Sequence, residues 1–206
     1  MKSRPTPFAL FAAFNAAQFA VVLAVFCADR LHPFYRGPAN LAEFTLYSLT
    51  VALVAVVGWR TLRRVAVPAP VLALCQLGIL GHLAGGFATY HGVRLYDVVF
   101  FGVGYDHYLH TFNGFAGALL ADRLLPPMRG PIPRGLIVLL VMMGAGSIVE
   151  MIEYLAYLWI SMTGVGGYDN NMRDLLSNTF GGLIFVAARA LLAAQALLAA
   201  RPAVGR

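Results

Sequence analysis

LIVLLVMMGAGSIVEMIEYLAYLWI, residues 136–160, is the stretch that decides the fold. Glu150 and Glu153 are its only charges. About 20 apolar residues at 1.5 Å per residue span the roughly 30 Å hydrocarbon core of a bilayer. This stretch is therefore long enough to cross a membrane, and it carries two carboxylates with it. The rest of the chain follows the same pattern. Of its 206 residues 60% are hydrophobic and only 12% charged, and the mean hydropathy is +0.74. A soluble domain has about 25% charged residues with which to cover its core. The composition excludes a soluble fold and points to an all-α, polytopic membrane helix bundle.

Apolar runs place about six transmembrane helices. They cover about Phe8 to Ala28, Leu41 to Trp59, a third run from beyond Pro68 and Pro70 to about Tyr90, Tyr105 to Leu125, Leu136 to Ile160 and Asp174 to Leu198. The first run also fits a signal peptide, but it is long for one and lacks a clean small-x-small cleavage site, so a retained helix is expected. Pro126, Pro127, Pro131 and Pro133 are expected to form a stiff loop, because proline cannot continue a helix. The segment from His91 to Gly104 is apolar but too short to cross, so an interfacial or re-entrant course is expected. There is no sequence repeat and no long linker, which predicts one integral membrane domain over residues 1–206. Cys27 and Cys75 sit in separate apolar runs and read as packing residues.

The net charge of +6 has a topological meaning. With six spans, Lys2, Arg4, Arg60, Arg63, Arg64, Arg123, Arg129, Arg134, Arg201 and Arg206 share one side, and Arg189 snorkels toward it. Arg30, Arg36, Arg94 and Arg173 fall on the other. Lys and Arg accumulate in cytoplasmic loops, so both termini are expected in the cytoplasm of a cell with the chain in its inner (plasma) membrane. Trp59 and Trp159 then fall at opposite interfaces. Nucleic acid is not an expected partner; the lipid bilayer is.

The acids and histidines gather on the outer side. Asp29, His32, Asp97 and Glu43 read as ordinary loop or helix-end polar residues. Glu150 and Glu153 do not, because a charge at the bilayer centre costs roughly 2.5–3.5 kcal/mol on insertion scales and is usually functional. Their i, i+3 spacing puts both on one helical face. Asp106 and His110 are at i, i+4, with His107 one turn before His110. Asp174 and Asn178 repeat the i, i+4 spacing, with Asp169 just before them. Simpler readings stand beside these. Asp174 and Asp106 suit the capping of helix N-termini, the glutamates suit a structural ion pair, and His82, among small residues, suits close packing with a hydrogen bond. Tyr90, Tyr105, Tyr108, Tyr154 and Tyr168 suit interfacial aromatics.

Three stretches resemble the bacterial inner-membrane family typified by YjdF: Gly85-Gly86-Phe87-Ala88-Thr89-Tyr90, then Tyr105-Asp106-His107-Tyr108-Leu109-His110 with Gly114, then Glu150 with Tyr168-Asp169 and Asp174. The family pattern has Arg where this chain has His107, and places its last two aspartates one residue closer. Arg173-Asp174-Leu175-Leu176-Ser177-Asn178-Thr179-Phe180-Gly181 is similar to VanZ proteins, which have a Gln where Glu153 stands. The resemblance implies an uncharacterised membrane family and, through VanZ, a link to glycopeptide susceptibility.

Three functions follow from one polar pocket open to the extracytoplasmic side. Asp106, His110, Glu150, Glu153 and Asp174 are the candidate catalytic set, with His107, Asp169, Asn178 and Tyr105 as candidate substrate contacts. An enzyme acting on a lipid or lipid-linked component would use them for acid/base chemistry, or as ligands of a divalent metal. A proton- or ion-coupled transporter would need a path past Asn15, Gln18 and Gln76. A non-catalytic envelope-binding or resistance protein of VanZ type needs only the pocket. No nucleophile stands out, as Ser147 and Ser161 have no motif around them.

Overall fold

The structure, a computed structural model, describes residues 6–62, 64–127, 131–159 and 167–199. Lys2, Arg4, Arg63, Arg129, Arg201 and Arg206 of the basic side, with Ile160 and Ser161, lie outside the described residues. The described residues form six long helices: α1 (Pro7–Leu31), α2 (Leu41–Leu62), α3 (Ala69–Phe87), α4 (Tyr105–Leu124), α5 (Pro131–Trp159) and α6 (Tyr168–Ala199). Five of them, all but α4, are long and apolar enough to cross a membrane. The fold is a polytopic helical membrane bundle.

α4 is the less apolar helix because of where it sits. It packs against α3, α5 and α6 and buries Leu109, His110, Gly114, Ala116, Ala118 and Ala121. A helix wrapped by neighbours meets little lipid, so its surface can hold polar groups that find partners inside the bundle. Small residues bring α4 and α6 together. A Cβ on Gly114 would run into the backbone of Asn178, and one on Gly181 would run into the backbone of Thr111 and Phe115. Such backbone-to-backbone approach is how helices associate in lipid, where no hydrophobic drive separates them from their surroundings. α1 packs on α2 and α3. Asn15, fully buried, donates to the Phe11 carbonyl at 2.9 Å and to Gln76 Oε1 at 2.8 Å.

Several expected boundaries move, and two capping readings fall. α3 ends at Phe87, not Tyr90. α5 starts at Pro131, so Pro131 and Pro133 belong to its first turn and not to the loop. Proline is tolerated there because first-turn N–H groups have no intrahelical partner to lose. α6 starts at Tyr168, which places Asp174 in its second turn and removes the capping reading for that residue. The N-cap of α4 is Gly104, with no side-chain capping bond, so Asp106 is not the cap either.

Between α3 and α4 the chain makes two tiny antiparallel hairpins, β1 (Thr89–Tyr90) with β2 (Val93–Arg94) and β3 (Val99–Phe100) with β4 (Val103–Gly104). A single 3-10 turn, Leu95–Asp97, joins them. Each hairpin closes with two residues at positive φ: His91 at 50° with Gly92 at 79°, and Phe101 at 52° with Gly102 at 81°. Two successive left-handed residues make the tight turn whose twist matches paired strands. Phe101 is fully exposed, and Val99 and Val103 beside it are exposed as well. The segment does not cross the bundle, as its length predicts.

Candidate functional site

The first turns of α4, the C-terminal half of α5 and the second turn of α6 meet around His110. Its ring is buried. Nε2 lies 3.3 Å from Asp106 Oδ1 and 3.8 Å from Asp174 Oδ1. Nδ1 lies 3.2 Å from the Asn178 amide and 3.6 Å from Glu150 Oε1. The i, i+4 spacing of Asp106 and His110 stacks them on one face of α4, and the same spacing aligns Asp174 and Asn178 on α6. Glu150 reaches the cluster from α5, where Asn171 donates to its carboxylate and to its carbonyl, both at 3.0 Å. Asp174 is completely buried. Asn170 donates to its Oδ2 at 2.5 Å, but its Oδ1 has no hydrogen-bond partner. Burying an ionised group without a partner is expensive, so this oxygen marks a place where something favourable to negative charge belongs.

A cavity of about 260 Å³ opens beside the cluster, between α2, the hairpin segment and the ends of α3 to α6 that meet it. Asp106, His107, His110 and Glu153 line it, while Glu150 and Asp174 stand behind His110. Asn178 also sits behind the ring, at the α4–α6 contact. Tyr105 faces α3 and donates to the Gly81 carbonyl at 3.0 Å. Asp169 is exposed in the first turn of α6 and does not line the cavity. Two residues read as ordinary outer polar groups, Glu43 and Asp97, do line it. Asp29 behaves as read, accepting from the backbone N–H groups of Phe34 and Tyr35 at 2.8 and 2.7 Å.

His82 is packed and hydrogen-bonded, as its neighbours predict, but it also lines the cavity. Asn113 meets its Nε2 at 2.9 Å and Tyr96 its Nδ1 at 2.5 Å, and its ring stands edge-on to His110 at 5.5 Å. Burial pushes the Tyr96 phenol well above its ordinary pKa, so it stays neutral. Beside it Arg94 grips Asp97 through two bonds of 2.9 and 2.8 Å. The sequence reading missed His82, Tyr96 and Asn170 as lining of this cavity, and Asn113 and Asn171 as the partners of His82 and Glu150. The available signal was an asparagine or histidine in an apolar helix, which rarely goes without a partner.

The opposite end of the bundle has its own charged knot. Asp122 Oδ1 accepts from Arg134 Nε at 2.7 Å and from Arg189 Nη1 at 2.6 Å. Arg134 also reaches the carbonyls of Pro126, Leu125 and Asp122.

These features define the class: a helical membrane protein with a carboxylate–histidine cluster inside one end of its bundle. The chain belongs to the family of predicted membrane proteins designated DUF2238, which matches residues 14–195. No curated protein and no solved structure matches it.

Proposed function

We propose that the chain, as one membrane domain with both termini cytoplasmic, receives an amphiphile of the outer leaflet of the plasma membrane. The amphiphile is a lipid or lipid-linked envelope component, its headgroup in the polar cavity. The observation that carries this reading is a second hollow of about 360 Å³ between α5 and α6, lined by Met151, Leu155, Met172 and Leu175, with Glu150 on its wall. Met151, Leu155 and Met172 are exposed on the bundle surface, which in a membrane means exposed to acyl chains. Glu150 thus borders an apolar groove while its carboxylate reaches the back of the His110 ring, whose other side lines the cavity. A headgroup on one side of that boundary and a chain on the other suits an amphiphile better than a small solute.

The carrier reading has less support. Asn15, Gln76 and Gln18, the polar groups available for the other half of a path, are engaged with one another at 2.8 and 3.5 Å. The VanZ-type reading rests on residues 173–181 alone. A chemical step on the bound headgroup would draw on Asp106 and His110, which are already paired for proton transfer.

The test is photolabelling in native-lipid nanodiscs with a phospholipid carrying a diazirine on its acyl chain, mapped by peptide mass spectrometry. Labelling is expected to concentrate at Met151, Leu155 and Met172, and to fall several-fold in Glu153→Gln and His110→Ala, which alter only the headgroup side. Labelling spread evenly over the lipid-facing surfaces of all helices, unchanged in both variants, refutes the reading.

A further inference from the structure

We propose that Asp106, His110 and Asp174 hold one divalent transition-metal ion of the zinc or manganese kind, with Glu150 fixing the imidazole from behind. This deepens the reading of the same cavity by naming what its inner wall binds. One ligand atom from each of the three residues lies within 4.8 Å of the others. Two donors about 2.1 Å from a shared ion sit about 3.0–3.4 Å apart, depending on coordination geometry. Nε2 of His110 is 3.3 Å from Asp106 Oδ1 and 3.8 Å from Asp174 Oδ1, close to that separation.

A protonated His110 alone does not account for the cluster. It would satisfy Asp106, but Asp174 Oδ1 stays 3.8 Å away, beyond a hydrogen bond, buried and without a hydrogen-bond partner. Charge points the same way. Three carboxylates, Asp106, Glu150 and Asp174, surround one imidazole, and among the described residues none of them pairs with a lysine or arginine. A divalent ion offsets two negative charges at the point where Asp174 Oδ1 is aimed. Ligating histidines usually present their second nitrogen to a carboxylate or carbonyl, which sets the tautomer and ring orientation. Glu150 Oε1, 3.6 Å from Nδ1, occupies that position. With the ion on the Nε2 lone pair, the Nδ1 proton would face Glu150 and the Asn178 amide, whose oxygen would turn toward the ring. One imidazole and two carboxylates suit zinc or manganese better than copper, which prefers more nitrogen or sulfur, or calcium, which needs more oxygens. Asp106 and His110 also line the cavity, so the remaining coordination positions face whatever enters it.

The experiment is metal analysis of the full chain purified in mild detergent without chelator. About one zinc or manganese per chain is expected. After chelation, adding back Zn²⁺ or Mn²⁺ alone should raise the thermal midpoint. Asp174→Asn and His110→Ala should lose the ion. Glu150→Gln should keep it at 10–100-fold weaker affinity, and the exposed Asp169→Asn should bind as the parent does. Asp174→Asn is nearly isosteric and decides the matter even where His110→Ala misfolds. In metal-free buffer it should be at least as stable as the parent, because it removes a buried unpartnered charge; with metal present the order should reverse. The proposal is overturned if the parent binds neither ion on titration, or if Asp174→Asn binds it equally well. Metal content is read without lipid, so its absence removes the ion and leaves the photolabelling result standing.

Discussion

Gly181→Ala is the sharpest test of how the bundle closes. A methyl group there would lie 2.7 Å from the Phe115 nitrogen and 3.0 Å from the Thr111 carbonyl carbon, and closer still to that carbonyl oxygen. All three atoms are backbone, so no rotamer change relieves the overlap. The helices must part by about 1 Å, or the local backbone must shift, and overpacking of this kind costs about 1–3 kcal/mol. Backbone obstruction puts the figure near the upper end. Alanine returns about 1 kcal/mol over glycine through helix propensity, leaving a net loss of about 2 kcal/mol. At about 2–4 °C per kcal/mol for a chain of this size, the thermal midpoint should fall by about 4–8 °C. The control is Gly144→Ala in α5, where a Cβ meets nothing within 4 Å. There only the propensity gain acts, and the midpoint should rise by a few degrees. The assay is thermal unfolding in one detergent, followed by size-exclusion fluorescence. Equal midpoints for parent and Gly181→Ala would refute the close α4–α6 crossing.

Two further outcomes follow from the proposed orientation and the expected interfacial course of residues 91–104. In a background lacking Cys27 and Cys75, Asp97→Cys should react with a membrane-impermeant maleimide from outside intact cells, and Arg64→Cys only after lysis; the reverse pattern would invert the orientation. Phe101→Trp, with Trp59 and Trp159 replaced by Phe, should show blue-shifted fluorescence quenched by brominated lipid if the exposed hairpin tip follows the interfacial course expected of it. Emission like that of tryptophan in water would place the tip outside the interface.

The helices were legible because the hydropathy of residues 136–160 and the other runs has one cheap explanation. α4 was legible too, as the run from Tyr105 to Leu125, although it is the one of the six long helices that is not apolar enough to count as a span by composition. Boundaries failed where local chemistry tolerates more than a rule allows. Prolines entered the first turn of α5, and α6 began early enough to carry Asp174 past its end. The hairpins hid in short motifs, Tyr90-His91-Gly92-Val93 and Phe100-Phe101-Gly102-Val103, in which a non-glycine residue takes the first left-handed position. The meeting of His82 with Tyr96 and Asn113 escaped notice because it depends on how α3, α4 and the turn between them pack. No spacing within one segment encodes that.

The cluster and the helix crossing belong to the same stripes of sequence. Asp106, His110 and Gly114 follow one another at four-residue steps on α4; Asp174, Asn178 and Gly181 follow at four and three on α6. Each set lies along one face. The glycines let the two backbones touch one turn below the polar groups, and that approach sets how far His110 stands from Asp174 and Asn178. A wider crossing would take Asn178 out of reach of Nδ1 at 3.2 Å and leave Asp174 still further from Nε2. Gly181→Ala should therefore disturb the cluster as well as stability. If the ion is held as proposed, that variant should bind it more weakly even at temperatures where the chain remains fully folded. Gly144→Ala, away from the stripe, should leave metal affinity unchanged while raising the midpoint. A variant that loses stability but keeps parental metal affinity would separate the crossing from the cluster and refute the coupling.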